Sequence, residues 1–405
     1  MTTALLLPRL RADQYQIATH PAKVKVLCMG RRWGKSVLAG TVCLLAANAG
    51  ARVAWIVPTY KNGRPLWRWA ESTVGNLKRY GVEVNRSERT IEFPNGGGLG
   101  LYSADNADSI RSERFQLAVL DEAAKIPFEA YVDAIQPTLA DLDGDVFLIS
   151  TPRGKNWFFN EWQAAASDGV HAAAWRAATS DNPNPNIRAA FEQARLRVPE
   201  RSFRQEWLAE FVEDGGEVFR NVRACATAVK QAAPVAGHEY LIGVDLAKVN
   251  DFTVLAVFDV TLNALVYLDR FNQIDYTVQL ARLQALSERF APRTVVIEDN
   301  VGQMFIEQAQ RAGLPVMPFH TSAATKPKLI DDLTLAFERQ TLQIIPDEAL
   351  ISELEAFSME RTTAGSLRYS APPGMHDDTV IALALAWHGV QSGIQTQPFT
   401  LDISW

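Results

Sequence analysis

The sequence predicts an α/β protein of two domains, and three observations carry that expectation. At 405 residues the chain exceeds the size at which one hydrophobic core keeps growing. Its first half alternates short apolar or β-branched runs with helical stretches, the pattern of a parallel sheet covered by helices. Its second half opens with three apolar strands joined by short turns and only then alternates helices with strands. The change of pattern places the boundary at Gly215-Gly216, giving domains 1–215 and 216–405. Residues of about 175–215 read as a helical lid or linker, and the Ala/Pro-rich stretch 231–239 as the far bracket of a hinge.

Taken in order, VKVLC (24–28) is a buried strand ending at a Gly-containing turn, and the following helix stops at Gly50. RVAWIVP (52–58) is a second strand, followed by an amphipathic helix to about Tyr80. Residues 94–104 look like a hairpin strand, and 115–122 and 145–151 are two more strands. After Pro152 the pattern becomes helical and polar, with SDNPNPN (180–186) a loop. In the second half, 240–247, 252–260 and 263–271 form an antiparallel meander. A helix (275–290), a strand (293–299), a helix, a strand (314–319), a helix near 327–340 and a final helix (376–390) complete it. That order is the order of the ribonuclease-H-like fold.

Composition narrows the class. With 47% hydrophobic and 21% charged residues the chain is expected to fold into ordinary cores. No apolar run reaches the roughly 18 residues needed to span a bilayer, and the opening segment lacks the basic start of a secretory signal. Cys28, Cys43 and Cys225 have no metal-ligand spacing and read as reduced, buried thiols. The net charge of −6 is uneven: residues 1–215 carry +2 and residues 216–405 carry −8. An acidic half is a poor passive clamp for phosphates, but it suits carboxylates that gather Mg²⁺ or Mn²⁺.

Gly30-Arg31-Arg32-Trp33-Gly34-Lys35-Ser36 lies between a predicted strand and a helix, where a phosphate-binding loop belongs. Backbone N–H groups and the helix N-terminus would hold phosphate oxygens, Lys35 would neutralise them, and the Ser36 hydroxyl would reach Mg²⁺. Met29 stands where the strict pattern has its first glycine. LAVLDEAA (117–124) buries a strand and then presents two carboxylates. Asp121 is expected to hold the magnesium and Glu122 to activate the attacking water of an ATPase. Ser150-Thr151-Pro152 ends the next strand, where helicase-like ATPases sense phosphate, and Gln14 lies where such enzymes read adenine. Arg111 is the candidate arginine for the transferring phosphoryl group, in competition with Arg114 and Arg153.

Three carboxylate positions stand out in the second half. Asp245 and Glu298 interrupt otherwise apolar strands, where lone buried carboxylates are costly. Asp377 and Asp378 open the last helix, a place that capping alone also favours. In a ribonuclease-H-like sheet these positions converge, and such a cluster wants divalent cations; two metals can then hydrolyse a phosphodiester. Asp251 is a candidate accessory ligand, and Lys326 or Lys328 a candidate contact to the scissile strand.

GRRWGKS, VPTYKNGRPLW, LDEAA and STPRG followed by GVDLA, VIEDN and HDDTVIALALA resemble the large terminase family of tailed bacteriophages, over about Gln14 to Ala386. The resemblance implies an ASCE-type ATPase domain and a nuclease domain. It implies ATP with Mg²⁺ at the first site and Mg²⁺ or Mn²⁺ at the second. By position, Lys35, Ser36, Asp121 and Glu122 match the ATPase motifs, and Asp245, Glu298 and Asp377 the nuclease triad; Asp299 and Asp378 stand beside the last two. Implied partners are double-stranded DNA, a portal protein on the procapsid, a small terminase subunit and further copies in a ring, all in the host cytoplasm. The rival expectation is an ATP-dependent helicase or remodeller whose second domain only docks.

Overall fold

The computed structural model describes residues 5–213, 217–246, 252–300, 303–361, 367–372 and 374–394. The chain divides into two compact units, Met1–Glu213 and Asp214–Trp405. Gly215 and Gly216 lie outside the described residues, as does Asp251.

The first unit is built on eight strands: β1 (Val24–Met29), β2 (Arg52–Val57), β3 (Glu83–Asn85), β4 (Thr90–Glu92), β5 (Gly98–Ser103), β6 (Leu117–Asp121), β7 (Asp145–Ser150) and β8 (Ala172–Ala177). Its helices are α1 (Ala12–Ala18), α2 (Lys35–Asn48), α3 (Tyr60–Val74), α4 (Gln136–Ala140), α5 (Trp157–Asp168), α6 (Pro185–Arg197) and α7 (Glu200–Glu206). The sheet order is β3-β4-β5-β2-β6-β7-β1-β8, parallel from β5 to β8 and antiparallel at the β3-β4-β5 edge.

Alternate residues of the central strands enter two separate cores. Leu27, Val53, Trp55, Val119 and Phe147 face one, while Val26, Ala54, Ile56, Ala118 and Leu148 face the other. A parallel sheet covered on both faces needs apolar side chains at successive positions, which is why these strands read as continuous apolar runs.

β8 departs from the sequence expectation. The Ala-rich stretch after His171 carries no strand pattern of its own. It nevertheless pairs along all of β1, with Trp175 packed edge-on against His20. The short β3 and β4 also lie outside the strands expected from the sequence.

The second unit has a five-stranded sheet of β9 (Tyr240–Asp245), β10 (Thr253–Asp259), β11 (Ala264–Phe271), β12 (Thr294–Glu298) and β13 (Val316–Phe319), in the order β11-β10-β9-β12-β13. The first three strands are antiparallel; β12 runs parallel to β9, and β13 to β12. This is the ribonuclease-H-like topology. A separate ribbon pairs β14 (Ser358–Arg361) with β15 (Leu367–Ser370). The helices are α8 (Val222–Cys225), α9 (Tyr276–Phe290), α10 (Gln303–Arg311), α11 (Thr325–Glu338), α12 (Glu348–Ala356) and α13 (Asp378–Ile394). Neither the ribbon nor α12 is among the elements expected from the sequence.

α13 is apolar on nearly every side and lies on β9, β10 and β12. Gly243 makes that approach possible: a Cβ there would fall 2.1 Å from the Ala382 carbonyl and 2.5 Å from the Ala386 nitrogen. A strand glycine under a helix marks close backbone approach. Here it seats the helix whose first turn carries Asp378.

The stretch 231–239, expected to bracket a hinge, is fastened to the second unit. Gln231 donates to Asp259 (3.0 Å), and the Tyr240 hydroxyl donates to Gln231 (2.7 Å) while accepting from Val235 N–H (2.8 Å). His238 Nδ1 completes the cluster, 2.7 Å from the buried Asp259 carboxylate.

Candidate functional sites

The first site forms where β1 turns into α2. Gly30 N–H donates to Ala177 and Arg31 N–H to Glu206, so β8 and α7 brace the loop from outside. Gly30 lies so close to Thr179 and Trp207 that a Cβ would stand 2.6 Å from their backbone atoms, and Gly34 adopts φ +112°. Met29, in the place of the pattern's first glycine, is the last residue of β1 and is buried in the core. The turn therefore begins one residue later than in the strict motif.

Lys35 is buried and donates to the carbonyls of Met29 (3.3 Å) and Gly30 (3.4 Å), folding back across the loop. Burial lowers its pKa, partly offset by Glu122 and Asp121. Ser36 Oγ donates to Asp121 Oδ2 at 3.3 Å, so the hydroxyl and the carboxylate expected around magnesium lie side by side. Burial, and next the Glu122 carboxylate, push Asp121 up to about 6.

Glu122 sits at φ +56°, an uncommon conformation for a residue with a side chain. Its carboxylate is 3.0 Å from the Lys125 ammonium. Burial works to raise Glu122, but Lys125, Lys35 and Arg31 outweigh it and hold the carboxyl below its ordinary value. The neighbouring strand end locks this turn: Ser150 Oγ accepts from Ala124 N–H, and Asn156 donates to the Ala124 carbonyl at 2.8 Å.

Lys35, Ser36 and Glu122 open onto a cavity of about 690 Å³. Arg9, Arg11, Arg31, Arg32, Lys35 and Lys125 line it, opposed by Glu122 and Glu206. Such an excess of cations beside a helix N-terminus fits a polyphosphate. Gln14 is there, its amide donating to the Gly34 carbonyl at 3.2 Å, and Thr151 lines the wall.

Sequence reasoning missed Arg9, Arg11, Asn182 and Glu206. The turn-rich SDNPNPN is a signal for Asn182, whose amide donates to the Arg32 carbonyl at 2.8 Å. Arg111 is not in this cavity: it is largely exposed and pairs with Asp108 at 3.2 Å, as Arg114 pairs with Asp141.

The second site lies at the carboxyl ends of β9 and β12. Val244 and Ile297 are register partners, so Asp245 and Glu298 follow them on adjacent parallel strands. Burial, then Glu298, Asp378 and Asp377 in that order, drive the Asp245 carboxyl well above the carboxylate range, with Lys326 opposing. Asn300 donates to Glu298 at 3.1 Å, while His320 takes Asp299 at 2.8 Å. Asp377 faces Lys326 at 3.8 Å, and Asp378 accepts from Phe252 N–H at 3.3 Å.

The adjacent acids at each position are thus sorted by their partners. Among the described residues no three His, Cys, Asp or Glu side chains are gathered tightly enough to hold one ion. The carboxylates share a strand end and an electrostatic field rather than a closed cage. Carboxylates that all act on one buried carboxylate are hard oxygen donors, the kind that suits a divalent cation. Among the described residues no helix is long and apolar enough to cross a membrane.

Comparison with known proteins agrees with this layout. The family described as "Terminase large subunit, T4likevirus-type, N-terminal" matches residues 27–223. The large terminase subunit of Thermus virus P23-45 is 31% identical over 425 residues, covering 92% of this chain and 86% of that protein; that of Thermus phage G20c matches to the same extent. The fold is shared with a solved large terminase from another thermophilic bacteriophage, at TM-score 0.60 and 15% identity over 95% of this chain and 100% of that one. On the strength of the identity and of the share of the relatives it spans, the chain belongs to the family of large terminase subunits.

Proposed function

We propose that this large terminase subunit hydrolyses ATP in its first unit to drive double-stranded DNA into a capsid, and cuts concatemeric DNA with its second. The observation that carries the reading is the pairing, in one chain, of a cation-lined phosphate-loop cavity with a carboxylate-rich strand end.

In the first unit, Gly30, Arg31, Arg32 and Gly34 cradle the phosphates, Lys35 neutralises them, and Gln14 contacts the base. Ser36 and Asp121 would hold Mg²⁺, which supplies charge neutralisation at the phosphates. Glu122, kept ionised by its cationic neighbours, takes a proton from the attacking water. Arg111, outside its own cavity, is proposed to serve a neighbouring copy in a ring. In the second unit, Asp245, Glu298 and Asp377 would hold Mg²⁺ or Mn²⁺, two ions on this reading, for Lewis-acid chemistry at the phosphodiester. Portal protein, small terminase subunit and host cytoplasm complete the proposed setting.

Purified protein should turn over ATP with Mg²⁺ and linearise plasmid with Mn²⁺, and in an ATP-free mixture a chelator should stop the cutting. Lys35→Ala should lower ATP turnover by about 10²-fold or more, since the phosphates lose a preorganised cation, and leave cutting intact. ATP turnover near wild type in that variant would refute the loop assignment. A remodeller with a docking module would show ATP turnover and no cutting under any metal.

A further inference from the structure

A buried carboxylate that neither the fold nor the chemistry above has used stands behind the second site. Glu353, on α12, is 5% exposed. Its Oε2 accepts from the Thr379 backbone N–H at 2.9 Å and from the Thr379 hydroxyl at 2.5 Å. Its Oε1 accepts from Arg270 of β11 at 2.7 Å. Thr379 is the second residue of α13, so Glu353 caps that helix from a different element and places an anion at its N-terminus.

The contacts continue beyond the pair. The Arg270 guanidinium lies 3.7 Å above the Phe252 ring. Phe252 N–H donates to Asp378, and its ring packs perpendicular to His376, which stands 3.5 Å from the same carboxylate. Glu353 and Phe252 therefore hold the first turn of α13 at Thr379 and at Asp378, and Arg270 joins the two. The arrangement is not economical as a staple. Arg270 Nε is buried without a hydrogen-bond partner among the described residues. Buried ion pairs are in any case weak contributors to stability compared with apolar packing. What this one supplies is orientation.

We infer that Glu353, backed by Arg270, is a positioning residue for the nuclease site: it sets the first turn of α13, and with it the direction in which Asp377 and Asp378 face Asp245 and Glu298. The inference rests on the nuclease reading above and deepens it. Groups that orient metal ligands alter metal affinity or activity by about 10–100-fold when replaced. Glu353→Gln keeps the size, removes the charge and leaves Arg270 unmatched. Adding Arg270→Met removes the stranded cation.

The test uses the full chain. In Glu353→Gln the Mn²⁺ concentration for half-maximal plasmid linearisation should rise about tenfold or more. Mn²⁺ binding followed by calorimetry should weaken in parallel, and ATP turnover should not change. In the double variant the metal-free melting temperature should recover while the Mn²⁺ midpoint stays raised. That separation is what a merely structural pair would not give. A double variant with the wild-type Mn²⁺ midpoint and binding curve would overturn the inference. Should the glutamine variants not fold, Thr379→Val deletes only the hydroxyl contact; its Mn²⁺ midpoint should rise about threefold, on the order of one lost hydrogen bond, and an unaltered midpoint overturns the inference as well. Wild-type protein that neither binds Mn²⁺ nor cuts plasmid would instead sink the nuclease reading itself.

Discussion

The two sites are built from opposite charges and are compensated differently. In the first, every principal group already has a partner within the chain: Lys35 its loop carbonyls, Ser36 the Asp121 carboxylate, Glu122 the Lys125 ammonium, Arg31 the Glu206 carboxylate. In the second, Asp245 answers to three other carboxylates and a single opposing lysine. Two carboxylates 4 Å apart repel by about 4 kcal/mol at an effective dielectric of 20. A site for an anion, made of N–H groups and cations on a rigid turn, holds its shape by internal bonds. A site for a cation resists being closed by its own ligands, so its geometry depends on what stands behind them.

The sharpest way to break this contrast is Asp245→Asn. The amide cannot supply the charge that holds a divalent ion, so Mn²⁺-dependent plasmid linearisation should fall by at least about 10²-fold, the upper end of what replacing a group that merely orients a ligand costs, with ATP turnover unchanged. Relief of repulsion should leave the metal-free melting temperature equal to wild type or higher. A folded variant that still cuts would remove Asp245 from the ligand set.

Next comes Glu122→Gln. It should bind ATP normally while turnover drops by about 10²–10⁴-fold, the range for a lost general base. Weakened nucleotide binding, measured by equilibrium titration, would make Glu122 a structural group held by Lys125 instead.

Gly243→Ala probes what stands behind the second site. The added methyl meets two backbone atoms of α13, which cannot swing aside as a side chain would. A loss of about 1–3 kcal/mol is expected from overpacking, read as an earlier melting transition of the second unit. Cutting should suffer with it, because α13 carries Asp378 and follows Asp377. The matching change in the first unit's ATP turnover should be absent.

The smallest effect is expected at Asp259→Asn, which pairs with the opposite end of β9 from Asp245. Burial would raise this carboxyl, but hydrogen bonds from His238, Gln231 and the Leu262 N–H outweigh it and hold the pKa below its ordinary value. A depressed carboxyl contributes stability above its unfolded pKa of about 3.9 and loses it as pH falls through the folded value. The variant should therefore melt a few degrees below wild type at neutral pH, about 2–4 °C per kcal/mol lost for a unit of this size. The two curves should converge under acid conditions below about pH 4, the unfolded carboxyl's range. A gap that stays constant with pH would show that the cluster acts through packing.

The sequence by itself determined what depends on local order along the chain. The strand-loop-helix around Lys35, the apolar strand ending at Asp121, the meander and the two carboxylates within apolar strands are each written within a few consecutive residues. Their chemistry follows from residue type and spacing. The tertiary structure alone decided which neighbours those groups have. It placed the Ala-rich β8 on the edge of β1, because a weak strand former pairs where an open edge offers hydrogen bonds. It brought Arg9, Arg11 and Glu206 to the cation-lined cavity beside Lys35 and kept Arg111 out of it. At the other site it gave Asp377 to Lys326, Asp378 to Phe252 and Thr379 to Glu353, through contacts between residues 26 to 126 positions apart or across separate helices. Local pattern encodes the kind of group a site needs. The pKa and direction of that group are set by burial and by partners distant in sequence, which no local pattern contains.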